Sequence, residues 1–164
     1  RTALRQAMRI MGHQFVMGRT IAEALARSRE GGNARYRHSF DMLGEAALTT
    51  RDAERYLEAY AAAIEAIGRA ASAADPLDAP SISVKLSALH PRYEPAQHAR
   101  VRAELAPRLL RLARLAHEAR IPLTVDAEEA DRLGLSLELV EGLLHEPSLA
   151  GWPGLGLAVQ AYQK

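Results

Sequence analysis

The sequence has no cysteine, and this absence excludes several kinds of site. Disulfides, thiolate metal centres and cysteine nucleophiles are all impossible in such a chain. No apolar run approaches the roughly 20 residues that a membrane-spanning helix needs, and no signal-peptide pattern opens the chain. We therefore expect a cytoplasmic location.

The chain also lacks an excess of charge of either sign. Its formal net charge is +1, and basic and acidic residues are interspersed along it. Without a basic face, we expect no nucleic-acid partner for this segment. Of the 21 basic residues only Lys85 and Lys164 are lysine. A glycine fingerprint for a dinucleotide or a P-loop is missing as well.

The chain contains enough apolar sequence for one sizeable core, with 48% hydrophobic residues among 164. Four short stretches alternate large apolar residues with small or polar ones, as strands do, at residues 35–43, 81–89, 121–131 and 155–162. Helical patterns separate them. Thr49 or Thr50 should cap the first of these helices and Ser136 the last, and Pro107 should kink or divide the middle one.

The order β-α-β-α-β-α-β predicts a parallel sheet. An open doubly wound sheet would have strands that are apolar on both faces, whereas each strand here has one aliphatic face and one small or polar face. This difference favours a barrel with a polar lumen. A (β/α)8 barrel takes about 250 residues and eight strands, so we expect residues 35–164 to form its first half, about four βα units, with flanking helices in residues 1–34.

Polar residues gather where the predicted strands end, which is where α/β barrels carry their chemistry. They are Asp41, Lys85, Asp126 and Gln160, with Glu45, Glu128 and Tyr162 nearby. A buried lysine beside an aspartate is costly unless the two are paired or a ligand satisfies them. Two interpretations stay open: a ligand-binding mouth, and an ion pair that only rigidifies the mouth.

Two other sites were considered from the residues. Asp126, Glu128 and Glu129 offer oxygen ligands for a hard cation, although adjacent Glu128 and Glu129 should point in different directions on a strand. His90, just past the second strand, is a candidate base, although a lone histidine before a proline is more often a loop residue. Periodicity alone therefore predicts half of a ligand-binding barrel.

Four segments closely resemble the proline dehydrogenase domain of the bifunctional bacterial proline-utilization flavoenzymes. They are RHSFDMLGEAALT (37–49), SISVKLSALHPRYE (81–94), TVDAEEADRL (124–133) and GLAVQAYQK (156–164). The resemblance implies a distorted (β/α)8 barrel that binds FAD and oxidises L-proline to 1-pyrroline-5-carboxylate. It also implies that electrons pass to a membrane quinone, and that a separate downstream domain oxidises the hydrolysed product to glutamate with NAD.

The resemblance also implies roles for individual residues. Lys85 would help to bind the proline carboxylate, and Asp126 would lie at the flavin and the substrate. Gln160 would hydrogen-bond the isoalloxazine ring, with Ala127 close to it, and Glu45 would pair with a substrate-binding arginine. In the family, an arginine pair and most FAD phosphate and adenine contacts lie on later strands and helices.

We therefore expect the isolated segment to be inactive. The parent protein is expected to be a cytoplasmic homo-oligomer with peripheral contact to the inner membrane. The rival interpretations are a catalytically silent scaffold and a metal-dependent barrel lyase or isomerase.

Overall fold

The computed structural model describes residues 11–12, 15–43 and 46–162 of the chain. The chain divides into two compact units, Arg1–His38 and Ser39–Lys164. In the first unit, helix α1 spans Ile21–Ser28 and a 3-10 helix follows at Gly31–Arg35. The hydroxyl of Thr20 accepts the Glu23 N–H and so caps α1. The Glu23 carboxylate accepts from the N–H of Arg19.

In the second unit, strands and helices alternate along the chain. The strands are β1 (Ser39–Asp41), β2 (Ser81–Val84), β3 (Leu123–Val125) and β4 (Leu155–Leu157). The helices are α2 (Thr50–Ala70), α3 (Leu86–Leu89), α4 (His98–Glu118) and α5 (Leu133–Leu144). Short 3-10 helices lie at Pro76–Asp78, Pro95–Gln97, Ala130–Arg132 and Pro147–Leu149. Within the described residues, no helix is both long and apolar enough to cross a bilayer.

The four strands form one parallel sheet in the order β1-β2-β3-β4. The predicted α/β fold with a parallel sheet is therefore confirmed. Asp41, Ser83, Thr124 and Gly156 are paired across it at one level. These small or polar residues share a face, because side chains alternate between the two faces of a strand.

The opposite face of the sheet and the inner sides of the helices form the core. Fully or almost fully buried residues include Ile82, Val84, Leu123, Val125, Ile64, Ile67, Leu105, Leu109 and Leu112. Each such aliphatic side chain contributes about 1.5–3 kcal/mol by leaving water. Helix α2 begins with a capping box, in which Thr49 and Asp52 satisfy each other's backbone N–H groups. The predicted cap at Thr49 is thus confirmed.

The predicted strands were too long. Residues 86–89, assigned to the second strand, form helix α3, and Leu86, Ala88 and Leu89 are buried in it. The first strand covers only Ser39–Asp41, and Arg35, its predicted first residue, belongs to a 3-10 helix. The third and fourth strands end at Val125 and Leu157, before the predicted ends at Asp131 and Tyr162. Short apolar runs do not distinguish a strand from a buried helical turn.

Two predictions about the helices also need correction. Helix α4 is continuous through Pro107, so the predicted division is wrong and the predicted kink stays a prediction. Pro107 is exposed, so water can satisfy the carbonyl that loses its hydrogen bond. Helix α5 begins at Leu133, and Ser136 is buried inside it instead of capping it. It ends at Leu144, before Pro147, as predicted.

Candidate functional site

The ends of three neighbouring strands bring one lysine and two aspartates together. Asp41 is the last residue of β1, Lys85 follows β2, and Asp126 follows β3. Asp41 is paired with Ser83, and Ser83 with Thr124. Since residues two apart share a face, the alternation predicted that Lys85 and Asp126 project on the same side as Asp41. The structure has them in direct contact.

The Lys85 ammonium lies between the two carboxylates. Its Nζ donates to both oxygens of Asp41, at 2.8 Å each, and lies 2.9 Å from Oδ2 of Asp126. The three side chains are 25%, 35% and 27% exposed, respectively. Charge-assisted hydrogen bonds of this length hold the ammonium in a defined position. One cation between two anions leaves the cluster with excess negative charge.

The Asp126 carboxylate is oriented by its own backbone. Its Oδ1 accepts the N–H of Ala127 at 2.9 Å. The N–H of Asp126 donates to the carbonyl of Val84 at 2.9 Å, which continues the β2–β3 pairing. The amide of Ala127, predicted to lie near a flavin, therefore helps to fix Asp126.

Tyr60, which the sequence analysis did not assign to this site, and Glu128, which it placed only near the mouth, hold the backbone around Lys85. The N–H of Lys85 donates to the hydroxyl of fully buried Tyr60 at 3.2 Å. Ser87, in the first turn of α3, donates its N–H to Oε1 of Glu128 at 3.0 Å. In the sequence, Tyr60 stands at an apolar helix position and Glu128 is an acid near the mouth. Neither pattern predicts the hydrogen bonds that these residues make to the backbone at Lys85 and Ser87.

Gln160 lies next to the loop that follows β3. Its Nε2 donates to the backbone carbonyl of Glu128 at 3.1 Å. Tyr162, also predicted near the mouth, lies past the end of β4 and is 78% exposed. Glu45 falls outside the described residues, so its predicted position at the site stays a prediction.

Arg132 contacts two acids of the loop after β3. Its Nη1 lies 2.9 Å from Oε2 of Glu129 and 3.6 Å from Oε2 of Glu128. Its guanidinium lies over the ring of Tyr93, 5.4 Å from the centroid. Burial raises the pKa of Tyr93 to about 12, although its hydrogen bond with Ser136 acts in the opposite direction. The Tyr93 phenol therefore stays protonated at neutral pH.

Each of the three acids considered for a metal ion already has a partner in the protein. Asp126 contacts Lys85, Glu128 contacts Ser87, and Glu129 contacts Arg132. Across the described ranges, no three His, Cys, Asp or Glu residues are grouped so that they could hold a metal ion. The geometry therefore gives no support to the metal-dependent interpretation.

The surroundings of His90 fit a structural loop residue and give no support to a catalytic base. Its side chain is buried, at 1% exposure. The ring Nδ1 accepts the N–H of Arg92 at 3.1 Å, so the proton lies on Nε2, which is 3.1 Å from Oε2 of Glu104. Hydrogen bonds from Arg100 and then His90 lower the pKa of Glu104. Both ring nitrogens are occupied, and His90 fixes the turn that follows α3.

Comparison with known proteins identifies the family. A family model described as Proline dehydrogenase matches residues 24–164. This chain belongs to the proline dehydrogenase family. Curated relatives named Bifunctional protein PutA match the whole chain, with 55% identity in Klebsiella aerogenes, 54% in Escherichia coli and 51% in Rhizobium meliloti. The chain spans only 12–13% of their length.

Solved structures of family members have the same fold. A crystal structure of Proline Utilization A from Bradyrhizobium japonicum matches 99% of this chain with 58% identity and a TM-score of 0.83. The match takes up 17% of the Bradyrhizobium chain. The protein from Bdellovibrio bacteriovorus, inactivated by N-propargylglycine, is 24% identical and matches 99% of this chain with a TM-score of 0.88. The match takes up 18% of the Bdellovibrio chain. Because the identity is only 24%, this similarity shows the fold alone.

Proposed function

We propose that this chain supplies the first half of the catalytic barrel of an FAD-dependent proline dehydrogenase. In this proposal residues 35–164 are the half-barrel and residues 1–34 are flanking helices. The family match over residues 24–164 supports the activity. The likeness to proline-utilization proteins over the whole chain supports a position inside a longer, bifunctional protein.

The strand order supports a barrel over a doubly wound sheet. The four parallel strands follow one another in sequence order, whereas doubly wound sheets reverse their strand order part-way. In the described sheet β1 and β4 are the two edge strands. Further strands would close the sheet and leave no open edge. The face that carries Asp41, Lys85 and Asp126 would then line the lumen.

The observation that carries the proposed function is the Lys85 ammonium held at the carboxyl ends of the strands by Asp41 and Asp126. An ammonium in a partly buried mouth is a suitable anchor for a small carboxylate such as that of L-proline. The excess negative charge of the cluster opposes a second anion, so Lys85 needs help from other cations. The arginine pair that the resemblance implies on later strands would provide it, with Glu45 pairing to one arginine.

The polar groups around Lys85 fit the ring of a flavin. The isoalloxazine edge has both hydrogen-bond donors and acceptors. Asp126 offers a carboxylate to it, and the carboxamide of Gln160 carries a donor and an acceptor. These two residues and Ala127 would hold the ring, while the phosphates and adenine would be bound elsewhere in the longer protein. When bound, FAD would supply the acceptor for the hydride that L-proline loses, together with a proton, on oxidation to 1-pyrroline-5-carboxylate.

The protein's own residues then have a positioning task. Lys85 would orient the proline ring through its carboxylate, and Asp126 and Gln160 would keep the flavin and the substrate face to face. Electrons would pass to a membrane quinone, and a separate domain would use NAD. A cytoplasmic homo-oligomer that is peripheral at the inner membrane fits this scheme.

The test uses the longer protein that carries this segment. It should contain a flavin absorbance band and reduce a dye when L-proline is added. Asp126→Ala should lower kcat/KM by about 100-fold, because the group that borders both flavin and substrate is lost. The matched control is Asp131→Ala, which removes an exposed acid from the same loop. Unchanged turnover in Asp126→Ala would remove the proposal.

The isolated segment provides the second arm of the test. It should neither retain FAD on gel filtration nor reduce the dye, because in this proposal the arginine pair and the phosphate contacts belong to other parts of the longer protein. Proline-dependent dye reduction by the segment alone would show that the site is wrongly located. The scaffold alternative predicts that Lys85 and Asp126 are both replaceable in the longer protein without loss of turnover.

A further inference from the structure

Glu128, in the loop after β3, uses three different atoms to contact Ser87 after β2, Gln160 after β4, and Arg132. Its Oε1 accepts the N–H of Ser87, two residues after Lys85, at 3.0 Å. Its backbone carbonyl accepts Nε2 of Gln160 at 3.1 Å, and its Oε2 lies 3.6 Å from Nη1 of Arg132. The Glu128 side chain is 11% exposed. A carboxylate this well covered must have its hydrogen bonds satisfied by the protein.

The contact with Ser87 acts on the backbone that carries Lys85. Lys85 occupies the cap position of α3, and its side chain makes no capping hydrogen bond. It cannot do so, because its ammonium is a donor and the free N–H groups at a helix start need an acceptor. Glu128, from the neighbouring strand's loop, provides this acceptor. The direction in which Lys85 leaves the sheet therefore depends on Glu128.

The contact with Gln160 acts on the other side of the mouth. Strand β4 ends at Leu157, so Gln160 lies outside the hydrogen-bonded part of the sheet. The bond from Nε2 to the Glu128 carbonyl limits how the Gln160 carboxamide can turn. Any movement of the loop at Glu128 would therefore shift Gln160 and the Ser87 turn together.

We propose that Glu128 is a positioning residue, which holds Lys85 and Gln160 in register across the mouth of the site. The inference rests on the proposed proline oxidation. Glu128 needs no contact with substrate or flavin in this role. Its neighbour Glu129 has the same charge but is 66% exposed and contacts Arg132. Glu129 therefore provides a matched control.

The first experiment compares Glu128→Ala, Glu128→Gln and Glu129→Ala in the flavin-loaded longer protein. Glu128→Ala should raise KM for L-proline and lower kcat/KM by about 10–100-fold, because a shift of about 1 Å in a reactive group has that effect. The visible circular dichroism of the bound flavin should change as well. Glu128→Gln keeps an oxygen that can accept the Ser87 N–H, so it should stay within about threefold of the wild type. Glu129→Ala should match the wild type in KM and in the flavin spectrum.

The second experiment is a double-mutant cycle with Lys85. If Glu128 acts through Lys85, then Lys85→Ala combined with Glu128→Ala should have the same KM as Lys85→Ala alone. Additive losses would overturn the inference, as would a wild-type KM and flavin spectrum in Glu128→Ala. An equal effect of Glu129→Ala would overturn it too.

Two further arms keep the outcome interpretable. Should Glu128→Ala fail to fold, Glu128→Asp keeps the charge but is one methylene too short to reach Ser87. It should show the same rise in KM, and a wild-type KM in this variant would contradict the inference. Failure of the proposed function would look different, because the wild-type protein itself would then show no proline-dependent reduction.

Discussion

Two ion pairs in this chain have similar lengths and very different settings. Nζ of Lys85 lies 2.9 Å from Oδ2 of Asp126, and Nη1 of Arg111 lies 2.6 Å from Oε1 of Glu58. The first pair joins the ends of neighbouring strands, with 25% and 27% of its side chains exposed. The second joins the outer sides of α4 and α2, with 47% and 65% exposed. Distance alone therefore says little about what an ion pair does.

Solvent makes the difference between them. Water and salt screen an exposed pair, and ordering two long side chains costs entropy, so such pairs contribute little to stability. A partly buried lysine with two carboxylates loses more hydration and gains stronger hydrogen bonds. Removing the cation from each pair tests this contrast directly.

The largest effect is expected for Lys85→Met in the longer protein. The substitution removes the proposed anchor for the substrate carboxylate and leaves Asp41 and Asp126 to repel each other and the substrate. We expect kcat/KM for L-proline to fall by about 100-fold or more, as for other truncated charge pairs in binding sites. Steady-state kinetics measures the loss, and a cooperative thermal transition shows that the fold is kept. Full turnover by the folded variant would show that Lys85, like Arg111, is not needed for activity.

A smaller effect is expected for Tyr60→Phe. Tyr60 is fully buried, and its hydroxyl accepts the N–H of Lys85. Without the hydroxyl the hydrogen bond to the N–H of Lys85 is lost, so the free energy of unfolding should fall by about 0.5–1.5 kcal/mol. Urea denaturation measures it. Tyr36→Phe, at a side chain that is 71% exposed, should leave stability unchanged, and equal losses in both variants would contradict the explanation.

The smallest effect is expected for Arg111→Met. At pH 7 its melting temperature should stay within about 2 °C of the wild type, because the pair is exposed. Activity should be unaffected. A loss of turnover in this variant would show that the outer helices matter to the site.

The same pair has a defined pH dependence. The hydrogen bond from Arg111 lowers the pKa of Glu58 below its ordinary value of 4.5. A lowered pKa means that the stabilisation is present above pH 4.5 and is lost as the pH falls through the pKa of the folded state. The small difference between wild type and Arg111→Met should therefore shrink below pH 4.5. Melting curves between pH 7 and pH 3 check this sign.

Part of the fold and of the candidate site could be predicted from the sequence. Alternation along the strands predicted that Lys85 and Asp126 share a face, because a period of two follows from strand geometry alone. It also predicted the order of elements and the parallel sheet. The extent of the second strand was wrong, since Leu86, Ala88 and Leu89 are equally buried in a helical turn.

Contacts made by loops could not be predicted. The bond from Ser87 to Glu128 joins residues 41 positions apart, and that from Lys85 to Tyr60 joins residues 25 apart. Neither follows a periodic pattern, because both depend on how separate elements pack. The same holds for His90. Its position after β2 suggested a base, but its burial and its hydrogen bond with Glu104 could not be predicted from the sequence.

A side chain at position 156 would have little space on the sheet face that carries Asp41. Gly156 is paired with Thr124, and a Cβ at position 156 would lie only 2.9 Å from Oγ1 of Thr124. Even a methyl group there would force the side chain of Thr124 to move. Glycine at position 156 therefore lets the sheet keep Thr124 in place, two residues before Asp126 on the same face.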